Sequence, residues 1–255
     1  VNGSPGDYAL ATVGLCKNFG ALKVTNDIDF RLPHGCRHAL IGPNGSGKTT
    51  LINLLGGALN ASAGKIYLEG EDVTGITADR RVLKGLTRTF QINTLFPRLT
   101  PIEAVTMVVC QRRGYGASLW RSLKRSDDAI DEAYAVLEQL HLAEDCDRPT
   151  AQLAYGRQRL LEIALALASK PKVLLLDEPA AGVPQQQSGE ILSVISSLPN
   201  DIAVLFIEHD IDLVFRFAER ITVLVAGQIL CEGTPAEIAA DPEVRRIYLG
   251  DEVHV

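Results

Sequence analysis

Gly42-Pro43-Asn44-Gly45-Ser46-Gly47-Lys48-Thr49-Thr50 decides how this chain folds. The stretch matches G-x-x-x-x-G-K-[ST], a loop that wraps the phosphates of a nucleotide. Its flanks agree. Arg37-His38-Ala39-Leu40-Ile41 is mostly apolar and reads as a strand, and Leu51-Ile52-Asn53-Leu54-Leu55 reads as the start of a helix. Glycines let the backbone curl until successive N–H groups face one anion. The helix N-terminus adds partial positive charge. Gly42, Asn44, Gly45, Ser46, Gly47 and Thr50 then belong to the cradle. Lys48 is expected at the β- and γ-phosphates, and the Thr49 hydroxyl at Mg²⁺.

Val173-Leu174-Leu175-Leu176 is short and fully apolar, as a strand buried on both faces of a parallel sheet must be. It ends in Asp177-Glu178-Pro179. Acids at the C-terminal end of such a strand lie where α/β sheets bind ligands. Asp177 is expected in the Mg²⁺ shell through water, and Glu178 as the acceptor of the attacking water's proton. The plainer alternative is two solvated acids at a strand end.

The order of motifs resembles the ABC-type ATPases over nearly the whole chain. Thr89-Phe90-Gln91 looks like that family's Q-loop, Leu153-Ala154-Tyr155-Gly156-Arg157-Gln158 its signature, and Phe206-Ile207-Glu208-His209-Asp210 its switch. The resemblance implies that Gln91 touches Mg²⁺ or the attacking water and that His209 contacts the γ-phosphate. Ala154, Tyr155 and Gly156 would meet the γ-phosphate held by a second subunit. Phe19 would stack on adenine, although an isolated Phe is more often core. The implied fold is α/β: a P-loop NTPase core with a parallel sheet, a small antiparallel β layer and an inserted helical lobe. The core would take 1–90 and 157–255, and the lobe 91–156. The chain departs from the family pattern at Ala154 and Tyr155, which replace a Ser and a Gly. Arg157 and Pro184 also differ, at the end of the signature and in the loop after Gly182.

The wording Leu153-Ala154-Tyr155-Gly156, Asp177-Glu178-Pro179-Ala180-Ala181-Gly182 and the tail from Glu232-Gly233-Thr234-Pro235 narrows the resemblance. It is similar to the larger ATPase subunit of branched-chain amino-acid importers. That implies ATP and Mg²⁺, permease subunits in the membrane, and a second ATPase that is the same or a sister chain. The chain itself would be cytoplasmic, peripheral on the inner face of the cell membrane. Two rivals remain: the ATPase of a lipid or lipopolysaccharide exporter, and a soluble non-transport ABC ATPase.

Composition sets bounds. At 255 residues the chain can bury a sizeable core, and 46% hydrophobic with 22% charged residues is ordinary for an α/β protein. A net charge of −6 argues against non-specific nucleic-acid binding. No apolar run approaches the ~18–20 residues that span a bilayer, so any membrane link is expected through a partner. No secretory leader is expected, because no basic segment followed by an apolar one opens the sequence. The five scattered cysteines read as reduced, mostly buried thiols. His34, His38, His141 and His254 lack metal spacing and read as surface or packing residues.

Residues 127–140 are periodic, with Ile130, Ala133, Tyr134, Leu137 and Leu140 on one expected core face. The stretch 112–125 is basic and carries Trp120. It reads either as a solvated loop or as a contact with a membrane protein or lipid headgroups.

Overall fold

The computed structural model describes residues 4–89, 95–115 and 123–249. In chain order the elements are β1 (Leu10–Phe19), β2 (Leu22–Ile28), β3 (Arg31–Leu32), β4 (Arg37–Ile41), α1 (Lys48–Leu55), β5 (Ala63–Leu68), β6 (Glu71–Asp72), α2 (Ala78–Leu83) and β7 (Leu86–Arg88). Then come α3 (Pro101–Arg112), α4 (Leu123–Gln139), α5 (Tyr155–Ala168), β8 (Val173–Asp177) and α6 (Gln185–Ser196). The chain closes with β9 (Ala203–Ile207), α7 (Ile211–Phe217), β10 (Arg220–Val225), β11 (Gln228–Gly233), α8 (Pro235–Ala240) and α9 (Pro242–Leu249). These pack as two compact units. One holds Val1–Leu86, Lys172–Pro179 and Ser196–Val255, and the other Thr87–Pro171 and Ala180–Ile195. The boundary drawn from sequence between 156 and 157 therefore falls inside the second unit.

The first unit carries two sheets. One is antiparallel, with β1 paired to β2, β3 and β5, and β5 to β6. The other runs in the order β11-β10-β4-β9-β8, and β10, β4, β9 and β8 are mutually parallel. Every residue of β9 and the first four of β8 are buried. At about 1.5–3 kcal/mol for each fully buried aliphatic side chain, these strands make a stiff frame. Helix α1 is fixed at its far end by Arg81, which is 1% exposed. Its guanidinium donates to the carbonyls of Leu54 (2.7 Å) and Leu55 (2.5 Å), and to Ile76 O (2.9 Å). A cation there satisfies carbonyls the helix leaves unpaired and suits the negative end of its dipole.

His38 lies in the middle of β4, fully buried, with Nε2 2.8 Å from Thr222 Oγ1 and its ring edge-on to Phe30. Burial, with a smaller push from Arg220, lowers its pKa to about 3. Below about pH 6.5 the unfolded chain therefore binds a proton that the fold refuses. Stability contributed by neutral His38 is complete above that pH and is lost as pH falls towards 3. The expected slope is about 1.4 kcal/mol per pH unit, roughly 2 kcal/mol between pH 6.5 and 5. Urea unfolding of wild type and His38→Leu across this range checks it. The variant should lack that part of the slope, and equal slopes would contradict the assignment.

In the second unit α3 opens with a capping box. Thr100 N donates to Glu103 Oε2 (2.9 Å), Glu103 N donates to Thr100 Oγ1 (3.3 Å), and Pro101 stands at the first turn. Helix α4 packs on α3 and α5. It buries Ala129, Ala133 and Leu137, and Leu140 directly after it is buried too, but Ile130 (41%) and Tyr134 (45%) are exposed. Ala133, Leu137 and Leu140 of the expected core face are thus buried, while Ile130 and Tyr134 are corrected to exposed positions and Ala129 joins the face. In the basic stretch, Arg112 (2.7 Å) and Arg113 (2.5 Å) both pair with Glu132, which Lys170 also reaches at 2.8 Å. Burial pushes the Glu132 carboxyl up, but hydrogen bonds from Arg112, Lys170 and Arg113 outweigh it and hold the pKa near 2. These two arginines serve the unit's own packing. Trp120 lies outside the described residues. All five thiols are free. Only Cys36 is buried and the other four are half-buried, which corrects the expectation of mostly buried thiols.

Candidate nucleotide site

Register brings the first unit's motifs to one edge. Leu40 on β4 pairs with Ile207 on β9, and Ile207 pairs with Asp177 on β8. The loops that begin at Gly42, Glu178 and Glu208 therefore leave neighbouring parallel strands at their C-terminal ends, where such sheets bind ligands.

The loop at 42–50 is built for an anion. Gly47 caps α1 with φ 103°, and a Cβ there would stand 2.7 Å from Val24 O, so no other residue fits. A Cβ on Gly42 would meet Leu224 O at 2.1 Å. Ser46 N donates to Pro43 O (3.2 Å) and Ser46 O accepts from Gly227 N (2.9 Å), which hold the curl from both sides. Leu51 N reaches back to Gly47 O (2.8 Å), and helix geometry leaves the N–H groups of Lys48, Thr49 and Thr50 ahead of it without an intrahelical partner, open to a ligand. Lys48 is 6% exposed and its Nζ donates to Gly42 O (2.7 Å) and Pro43 O (3.1 Å). Burial lowers its pKa, and Glu178 and Asp177 act in the opposite direction. The buried Ser46 Oγ has no partner among the described residues. Asn44, Gly45 and Thr49 are exposed, and Thr50 is half-buried. An orphaned hydroxyl, a buried ammonium and a turn of free N–H groups together fit a polyphosphate.

The same residues fit a magnesium ion. Among the described residues no cluster of three His, Cys, Asp or Glu forms a cage. Mg²⁺ is commonly held instead by one or two protein oxygens beside phosphate oxygens and water. The Thr49 hydroxyl and the Asp177 carboxylate are such donors.

Glu178 follows β8 with φ 51°, a left-handed backbone rare for a side chain of its size, and its N–H is tied to Ile207 O at 3.1 Å. Its Oε1 stands 2.7 Å from His209 Nε2. His209 N donates to the buried Glu208 (3.3 Å), and Asp210 caps α7 through Leu213 N (3.2 Å). Three neighbouring residues thus fix where the imidazole sits. Phe19 is 48% exposed at the β1–β2 turn, with Lys17 Nζ 5.1 Å above its ring. It is not a core residue. Gln91 lies outside the described residues.

Ala154, Tyr155 and Gly156 open α5 in the second unit. Ala154 is its N-cap and supplies no side-chain bond. Tyr155 lies under Arg159, whose guanidinium is 5.5 Å from the ring and donates to the phenol oxygen (3.3 Å). Arg159 also pairs with buried Glu162 (2.9 Å). A Cβ on Gly182 would be 3.1 Å from the Tyr155 hydroxyl, and Gly182 has φ 75°, so the tyrosine is seated on a position that only glycine suits. Arg157 turns to the unit's own loop, donating to His141 O (2.5 Å) and facing Asp145 at 3.5 Å. The Pro184 carbonyl accepts from Ser188 Oγ at 3.3 Å. Arg159 was not singled out by sequence. Its i+4 spacing from Tyr155 and i−3 spacing from Glu162 are signals that point to it.

A nucleotide-shaped loop, acids on the next strands and a separate helical unit define an ATP-binding cassette. Comparison with known proteins agrees: the sequence profile of the ABC transporter family matches residues 25–181, more than half of the chain. The chain belongs to that family. The profile described as branched-chain amino acid ATP-binding cassette transporter matches residues 228–254. Among relatives, the high-affinity branched-chain amino acid transport ATP-binding protein BraF of Pseudomonas aeruginosa is 36% identical, covering 95% of this chain and 98% of its own. LivG of Escherichia coli, described in the same words, is 37% identical with the same coverage. A nucleotide-free ATP-binding cassette from an ABC transporter superposes with TM-score 0.81 at 30% identity, covering 95% of this chain and 99% of that one. A cassette in its ADP conformation gives 0.81 at 31%, with the same coverage.

Proposed function

We propose that this chain is the ATP-hydrolysing subunit of a membrane transporter for branched-chain amino acids or a related small polar solute. The tail carries the reading of solute class: residues 228–254 match the branched-chain profile in addition to the general cassette. Phe19 stacks on adenine. Gly42, Asn44, Gly45, Ser46, Gly47 and Thr50 surround the phosphates, and Lys48 neutralises the β- and γ-oxygens. Thr49, Asp177 and Gln91 would hold Mg²⁺, which would supply charge neutralisation at the phosphates. Glu178 takes the proton of the attacking water, and His209, whose Nε2 stands 2.7 Å from Glu178 Oε1, contacts the γ-phosphate. Ala154, Tyr155 and Gly156 present the N-terminus of α5 to the γ-phosphate held by a second ATPase, the same or a sister chain. Among the described residues no helix is long and apolar enough to cross a membrane. Permease subunits therefore anchor the chain at the cytoplasmic face. ATP turnover of the purified protein with Mg²⁺ and with EDTA tests the chemistry. Turnover should vanish in EDTA, and undiminished turnover would overturn the metal's role.

Phe19→Ala should weaken ADP and ATP binding alike, by roughly 1–3 kcal/mol, the worth of stacking one base on an aromatic ring. Titration with both nucleotides checks this. A loss confined to ATP would show that Phe19 does not hold the adenine.

A further inference from the structure

Behind the phosphate loop lies a cavity that the hydrolysis reading does not use. Its volume is about 210 Å³, and its wall joins Ile41, Ile211, Phe215 and Ile238 to Arg245 and Tyr248. An apolar cavity of ~150 Å³ already takes up benzene. This one therefore has room for a compact ligand of somewhat more than six heavy atoms.

Two polar groups break the apolar wall. The Tyr248 hydroxyl is buried and has no partner among the described residues. Burial, with Cys231 beside it, pushes its pKa up to about 12, so it remains a proton donor. Arg245 lines the same space, and its side chain makes no ion pair or hydrogen bond among the described residues. A forked cation beside a phenol donor recognises a carboxylate. Among the described residues no Asp or Glu lines the cavity, so none of them neutralises an ammonium there.

We infer that this cavity is an effector site for a compact aliphatic carboxylate that carries no ammonium group. Its position gives the effector a route to the nucleotide site. Ile41 is the last residue of β4 and directly precedes Gly42. Ile211 opens α7 directly after Asp210, two residues from His209. A ligand wedged between Ile41, Ile211 and Phe215 bears on the start of the phosphate loop and on the seat of the imidazole. Coupling between two sites is reciprocal, so effector and ATP shift each other's affinity by one common factor. This coupling rests on the nucleotide reading above, whereas occupancy of the cavity does not.

The probe is isocaproate, followed by calorimetry and saturation-transfer NMR on the full chain, first without nucleotide. Saturable binding is expected with Kd at or below about 1 mM. Arg245→Gln should weaken it roughly 10-fold or more, because a bond to a charged group is lost. Tyr248→Phe, which keeps the packing, should weaken it several-fold. Ala239→Leu, from the same wall, should block it. Leucine and isoamyl alcohol should bind far more weakly, the first for its ammonium and the second for its missing carboxylate. No saturable isocaproate binding to wild type would overturn the site, as would affinity unmoved by both Arg245→Gln and Ala239→Leu. Leucine binding as tightly as isocaproate would overturn the assigned ligand class. With the site established, saturating isocaproate should shift the Kd for ATP about 5-fold or more, and saturating ATP should shift that for isocaproate equally. Normal ATP binding with no shift would overturn the effector role. Failure of ATP binding itself would instead strike the nucleotide reading.

Discussion

Glu178→Gln should still bind ATP with Mg²⁺ while its turnover falls by at least ~10²–10⁴-fold, the range for loss of a general base. The amide keeps the shape of the side chain and can still meet His209 Nε2, which lies 2.7 Å from Oε1. The left-handed backbone at this position, pinned through its N–H to Ile207 O, is unchanged by the substitution. Binding and chemistry therefore separate. In the proposed cycle hydrolysis reopens the pair of ATPases, so the variant should accumulate as an ATP-bound dimer, alone or with its sister subunit. The checks are steady-state turnover and size-exclusion mass with Mg²⁺ and ATP. Wild-type turnover would remove Glu178 as the base. Lost turnover without a dimer under either condition would leave the base and count against the clamp.

Lys48→Ala should abolish tight ATP binding. The buried Nζ is the one side-chain cation placed within the loop, held at the Gly42 and Pro43 carbonyls. Charge-assisted bonds are worth about 1.5–3 kcal/mol each, so losing two to the β- and γ-phosphates weakens binding by roughly 10²–10⁴-fold. ATP titration by calorimetry decides it, with circular dichroism confirming the fold. Near-normal affinity in a folded variant would refute the phosphate-loop assignment.

The phosphate loop and β8 were legible because their signals are local. Glycines at fixed spacing, an apolar run and an acidic end lie within a few residues of one another, and register alone then brings Gly42, Glu178 and His209 to one edge. The face of α4 was legible in part: Ala133, Leu137 and Leu140 are buried as their period requires, but Ile130 and Tyr134, of the same period, are exposed. Ala129, which the expected face left out, is buried beside Ala133. The contacts of Arg81 and Arg157 could not be read from sequence. Their partners are carbonyls and a carboxylate distant in the chain, at Leu54, Leu55, His141 and Asp145, and no pattern of residue types marks a carbonyl. The same is true of the cavity at Tyr248, whose wall is assembled from one strand and three helices. Phe19 was ambiguous for a different reason: its role depends on exposure, which a β-turn sets and a single aromatic letter does not show.

The proposed coupling of hydrolysis to solute movement is tested most directly in proteoliposomes. These would hold this chain together with the membrane subunits that co-purify with it and their solute-capturing partner. Uptake of labelled leucine, isoleucine or valine should require ATP and Mg²⁺, should stop with ADP, and should fall with Glu178→Gln in step with turnover. ATP hydrolysis that proceeds at full rate with no ATP-dependent movement of any branched-chain amino acid or related small polar solute would contradict the account.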